Sequence, residues 1–123
     1  MIKILIVDDD IAVTNLLGKV LSAEGYETIS VNDSSEAVEV ATSTNPDLII
    51  LDLMMPQPDG FKICRILRQD PKFMYTPILI VTALDDSDSR IVAFGAGAND
   101  YLTKPFNIDE LVSLAKALIN ESM

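Results

Sequence analysis

Histidine is absent from this 123-residue chain and cysteine occurs once, at Cys64. Without histidine there is no imidazole for metal binding or for proton transfer near neutral pH. A single cysteine rules out an internal disulfide. Basic residues are scarce as well, 9 against 19 acidic ones, for a formal net charge of −10. A surface of that sign repels phosphate backbones and anionic lipid, so direct nucleic-acid binding and membrane binding are not expected. No apolar run is long enough to span a bilayer, and no targeting segment precedes the first strand-like run, so the expected compartment is the cytoplasm. Linkers, repeats and low-complexity stretches are also missing.

What is present is a core-forming composition, 49% hydrophobic. The length suits one domain, 1–123, and leaves no room for two. Strand-like runs fall at Ile2–Val7, Tyr26–Val31, Leu48–Leu51, Ile78–Val81 and Tyr101–Leu102. Three of them carry four consecutive apolar residues (ILIV, LIIL, ILIV), the pattern of strands covered on both faces. Helix-like segments separate them. The first, about 10–24, sets Val13, Leu16, Leu17, Val20 and Leu21 on one stripe and stops at Gly25. The second is read as capped by Asp33, with Glu36 three residues on, and ends before Pro46. A third spans about 59–69, a fourth about 86–96, and the last starts at Asn107. This alternation predicts an α/β fold with helices on both faces of a parallel sheet. Five such units fit the smaller doubly wound arrangement: five strands in the order 2-1-3-4-5 flanked by five helices, flavodoxin-like.

In such folds sites form at the carboxyl edge of the sheet. The residues following the strands are therefore the ones to read. They are Asp8-Asp9-Asp10 after the first, Asp52 after the third, Thr82 after the fourth and Lys104-Pro105 after the fifth. The second strand ends in Val31-Asn32 and contributes nothing obvious. Carboxylates converging in one pocket raise one another's pKa values unless a cation neutralises them. With only oxygen donors on offer, Mg²⁺ is the expected ion, completed by a phosphate oxygen. A carboxylate beside Mg²⁺ can attack phosphorus to form an acyl phosphate. Lys104 would bring positive charge to the transferring group, and Thr82 a hydroxyl to one of its oxygens.

Four stretches, ILIVDDD at 4–10, PDLIILDLMMPQPDG at 46–60, PILIVTA at 77–83 and GANDYLTKPF at 97–106, together make the chain recognisable. It resembles the receiver (CheY-like) domain of two-component response regulators over essentially its whole length. The resemblance implies that Asp52 is the phosphoacceptor. It implies that Asp9, Asp52 and the backbone carbonyl of Met54 ligate Mg²⁺, with Asp8 acting mainly through a water of the ion. It assigns Thr82 and Lys104 the roles already argued, makes Tyr101 the switch aromatic that follows the threonine inward, and predicts a cis peptide at Lys104-Pro105. The implied donor is a histidine kinase or phosphotransferase protein. The implied readout is a downstream partner or output domain on the face made by the fourth helix, fifth strand and fifth helix, with dimer formation on phosphorylation as a further outcome. Residues 59–84 are also similar to receivers attached to diguanylate cyclase modules.

Plainer roles suit several neighbours. Asp10 is read as the cap of the first helix and Asp59 as that of the third. Asp47 precedes its strand and so lies at the wrong edge. Cys64 reads as a core or boundary residue. Family members that lose phosphate quickly tend to carry polar side chains two residues after the phosphoacceptor and two after the threonine. Here these are Met54 and Leu84, which cannot orient water, so slow self-dephosphorylation is expected. The chain is thus read as a phosphoacceptor that assists its own phosphorylation and dephosphorylation, not as a turnover enzyme. A Mg²⁺-dependent phosphohydrolase working through an aspartyl phosphate would need an acid where Met54 stands. A receiver-fold module without phosphorylation would be expected to show an eroded acidic pocket, which this sequence does not.

Overall fold

A computed structural model describes all residues, 1–123. Strands β1 (Lys3–Val7), β2 (Glu27–Val31), β3 (Leu48–Leu51), β4 (Ile78–Thr82) and β5 (Asp100–Thr103) alternate with helices α1 (Ile11–Ala23), α2 (Ala37–Thr44), α3 (Gly60–Gln69), α4 (Ser87–Gly95) and α5 (Ile108–Ser122). All strand pairs are parallel, and the sheet order is β2-β1-β3-β4-β5. No helix is long and apolar enough to cross a membrane.

The consecutive apolar runs divide by the period-2 rule of a strand, which sends neighbouring side chains to opposite faces. Leu5, Val7, Ile49, Leu51, Ile78 and Ile80 join Ala41, Ile63, Leu67 and Ala93 in the core beneath α2, α3 and α4. Ile4, Ile6, Leu48, Ile50, Leu79 and Val81 join Leu17, Leu21, Leu111 and Ala115 beneath α1 and α5. Each buried Val, Leu or Ile among them contributes roughly 1.5–3 kcal/mol through burial, so both faces of the sheet are firmly clamped. The edge strand β2 is the exception, with only Val31 fully buried.

Short polar side chains start the helices. Asp10, Asp59, Asp86 and Asn107 each accept a backbone hydrogen bond from the first turn of α1, α3, α4 and α5 respectively. The expected start of the second helix needs correcting. Asp33 accepts from both the backbone amide and the hydroxyl of Ser35, which closes a 3-10 turn over Ser34–Glu36. The α-helix proper begins only at Ala37. Gly25 ends α1 at φ +93°, a conformation that costs a side-chain-bearing residue energy.

Candidate phosphoacceptor and metal site

The sheet ladder continues one residue past three strands, and those residues carry the site. The Asp8 amide donates to Val31 O (3.1 Å), that of Asp52 to Val7 O (3.0 Å) and that of Lys104 to Thr82 O (2.7 Å). These bonds set the backbone before any side chain is considered. Asp8, Asp52 and Thr82 are buried, whereas Asp9 is exposed.

Carboxylate oxygens of Asp8, Asp9 and Asp52 lie within 4.8 Å of one another. The Lys104 ammonium bridges two of them, 2.7 Å from Asp8 Oδ2 and 3.2 Å from Asp52 Oδ2. Each remaining oxygen of that pair accepts a backbone amide two residues on: Asp8 Oδ1 from Asp10 (2.9 Å) and Asp52 Oδ1 from Met54 (3.1 Å). Read alone, Lys104 would have been a solvated surface lysine; instead it is the internal counter-ion of the cluster.

Burial pushes the Asp8 carboxyl above its ordinary value. Hydrogen bonds from Lys104 and from the Asp10 amide oppose this, and the charge of Asp52 adds to it. For Lys104, burial works against the charged form, but the Asp8 hydrogen bond and the Asp52 charge outweigh it and raise the ammonium pKa. One cation thus shares two buried carboxylates while Asp9 stands at the open side. This all-oxygen donor set fits a hard divalent ion that keeps part of its hydration shell, so Asp8, Asp9 and Asp52 form a cluster able to hold a metal.

Two further predicted residues sit just beyond. Thr82 Oγ1 accepts from the Leu84 amide at 3.4 Å, and the Tyr101 hydroxyl donates to the Leu84 carbonyl at 2.6 Å. Tyr101 is only 6% exposed, more deeply set than its sequence position suggests, so the ring already occupies the inward place. The Arg90 guanidinium covers it at 4.5 Å from the ring centroid and donates to Thr103 Oγ1. Met54 is 53% exposed, at the rim. The Lys104-Pro105 peptide is cis, and so is Gln57-Pro58. The residues given plainer roles occupy them: Asp47 accepts from the Lys3 amide away from the site, and Cys64 is buried with its thiol pushed up in pKa by burial.

Sequence reasoning missed three supports. Asn32 donates from its side-chain amide to Asp8 O and Thr14 Oγ1, both at 2.9 Å. Ser34 Oγ donates to Pro56 O at 2.7 Å, tying down the loop that follows Asp52. Gly60, the residue after the Asp59 cap, lies against the Asp52 carbonyl so closely that a Cβ there would fall 2.1 Å from it. The first two are long-range contacts with no local signal. The third could have been suspected from a glycine eight residues after a site carboxylate, where the chain turns back.

A family model for the response regulator receiver domain matches residues 4–116. The chain belongs to that family. Its relatives include the DNA-binding dual master transcriptional regulator RpaA of Synechocystis, 40% identical over 99% of this chain and 51% of RpaA. The alkaline phosphatase synthesis transcriptional regulatory protein PhoP of Bacillus subtilis is 42% identical over 98% of this chain and 49% of PhoP. The chain therefore spans about half the length of these curated relatives. Among solved structures, a putative response regulator from Chloroflexus aurantiacus superposes with TM-score 0.91 at 41% identity, covering 96% of this chain and 97% of that one. Chemotaxis protein CheY4 of Vibrio cholerae does so with TM-score 0.91 at 31% identity, covering 96% and 98%. As a receiver, the chain is a unit of phosphorylation-dependent two-component signalling; receivers of response regulators act as phosphoacceptors and pair with histidine kinases.

Proposed function

We propose that residues 1–123 form one receiver unit that takes a phosphoryl group on Asp52 and reports it through the α4–β5–α5 face. The carrying observation is the convergence of Asp8, Asp9 and Asp52 on one point, with Lys104 bridging Asp8 and Asp52. In the transfer, an Asp52 carboxylate oxygen attacks phosphorus. The new P–O bond forms as the bond from phosphorus to the donor imidazole nitrogen breaks, and the electron pair leaves with the imidazole. The Lys104 ammonium, already at the attacking carboxylate, offsets charge on the phosphoryl oxygens. The Thr82 hydroxyl, whose oxygen only accepts from Leu84, retains its proton to donate to one of those oxygens.

Asp9, Asp52 and the Met54 carbonyl would hold Mg²⁺, with Asp8 in support. The ion would supply charge neutralisation between carboxylate and phosphoryl oxygens. The phosphohydrolase alternative fails on the position after next from Asp52, where exposed Met54 offers no proton. A role without phosphorylation is disfavoured by a complete set of site groups.

The donor would be a histidine kinase or phosphotransferase protein. The readout surface includes α4, where Ile91 and Phe94 are 68% and 45% exposed, and its occupant is a protein partner, an output domain or a second receiver. The net charge of −10 argues against direct DNA contact by this unit. Incubation with Mg²⁺ and acetyl phosphate, followed by intact-mass measurement, should yield one phosphoryl adduct that Asp52→Asn abolishes. Labelling of that variant would show that another residue is the acceptor.

A further inference from the structure

The acidic loop between β1 and α1 is held from the side by the residue after β2. The Asp8 amide still belongs to the sheet, donating to Val31 O at 3.1 Å. The side-chain amide of the next residue, Asn32, then takes the Asp8 carbonyl at 2.9 Å. Its second bond goes to Thr14 Oγ1 at 2.9 Å, and the Thr14 hydroxyl itself donates to Ile11 O in the first turn of α1. Thr14 is 1% exposed, so the anchor at that end is fixed by packing.

The Asp8 carbonyl is one end of the peptide that carries Asp9. Rotation of that peptide would leave the Asp8 side chain in place, held by Lys104 and the Asp10 amide, and would swing Asp9 away from Asp52. Asp9 is exposed and its side chain makes no hydrogen bond of its own, so its direction depends on the backbone. We propose that Asn32, braced on Thr14, is the positioning residue that aims Asp9 at the metal. This rests on the reading of Asp8, Asp9 and Asp52 as a Mg²⁺ site. Asn32 touches neither ion nor phosphoryl group and acts only through the Asp8–Asp9 peptide.

Supports one step behind a metal ligand typically change affinity by roughly 10–100-fold when removed. Asn32 is exposed, so Asn32→Ala is expected to remain folded and to weaken Mg²⁺ binding about tenfold, measured by calorimetry or amide shifts. The phosphorylation rate at saturating Mg²⁺ and acetyl phosphate should stay near the native value, and the Asp9 amide should lose order in ¹⁵N relaxation. Thr14→Val, which removes the brace together with the hydroxyl bond to Ile11 O, should weaken Mg²⁺ in the same direction, whereas Thr14→Ser should preserve affinity. A purely structural Asn32 would lower the melting temperature and leave the Mg²⁺ constant unchanged. That result, with native binding intact, would overturn the inference alone. A native chain that binds no Mg²⁺ would overturn the functional reading and this inference together.

Discussion

Gly60→Ala is the sharpest single test of how Asp52 and the strand before it are held. A Cβ at Gly60 would meet Asp52 O at 2.1 Å, Leu53 Cα at 2.7 Å and Asp52 C at 2.9 Å. All three are backbone atoms, so no side chain can turn aside. Reaching an ordinary 3.4 Å contact requires α3 or the Asp52-Leu53 peptide to retreat by about 1.3 Å. Both are fastened: Gly60 N donates to Leu53 O and Asp52 N to Val7 O. Overpacking of this kind costs about 1–3 kcal/mol, and rigid backbone on both sides places it at the upper end. For a chain of this size that is a fall in Tm of about 10 °C. A displacement near 1 Å at a reacting group can also cost about 100-fold in rate. Thermal or urea unfolding reads the first effect, and acetyl phosphate labelling at saturating Mg²⁺ the second. Gly95→Ala is the internal control, since nothing lies within 4 Å of its Cβ and the position ends α4. It should be neutral or stabilise by about 0.5–1 kcal/mol. A Gly60→Ala protein as stable as Gly95→Ala and labelled at the native rate would refute the reasoning.

Asp8→Asn should stabilise the metal-free protein at neutral pH. The raised pKa means the folded state favours neutral Asp8, so its contribution is present below the ordinary value of 3.8 and is lost as pH rises through the folded pKa. Urea melts should therefore show the variant ahead at neutral pH and level with native in strong acid; Mg²⁺ should stabilise native far more than the variant. Arg68→Ala should cost about 3 kcal/mol in the same assay, because it leaves Gly97 O, Phe73 O, Thr76 O and Asn99 Oδ1 without their guanidinium donor. Phosphate on Asp52 should decay slowly, with Met54 and Leu84 flanking it, and Met54→Asn should shorten its lifetime; a native half-life of seconds without a phosphatase would contradict this.

The sheet was legible because its signal is local. LIIL at Leu48–Leu51 became β3 with those bounds, and the acidic and hydroxyl residues after each strand fell at one edge because parallel strands leave no alternative. The second helix was misjudged because Ser35 satisfies the Asp33 carboxylate and the Glu36 amide its carbonyl in a tighter turn, and the sequence gives both outcomes the same cap. Asn32 looked inert for a different reason. A side-chain amide acquires its role only from what lies opposite, and Asp8 is 24 residues away. Gly60 was half legible, since the same Asp-Gly pair serves as a helix start and as the only residue type that fits beneath Asp52.

Thr82 and Tyr101 are connected through the backbone of Leu84, whatever the side chain there. Leu84 uses its amide on Thr82 and its carbonyl on Tyr101, so one residue joins the two hydroxyls. The bonds are unequal: 3.4 Å to Thr82 is long and weak, whereas 2.6 Å from Tyr101 is short. In the proposed switch, the Thr82 hydroxyl donates its free proton to a phosphoryl oxygen, and movement of Thr82 toward that oxygen would strain the weaker of the two bonds first. Residues 82–84 would then move relative to the site before the Tyr101 bond yields. Tyr101 lies inward under Arg90, so in this proposed switch no ring would have to be drawn in from solvent. An effect on α4 would then run through the Leu84 carbonyl and the Arg90 contact. Beryllofluoride should accordingly shift the Leu84 and Arg90 amide resonances at least as strongly as that of Tyr101, and a response confined to Tyr101 would place the coupling in the ring instead.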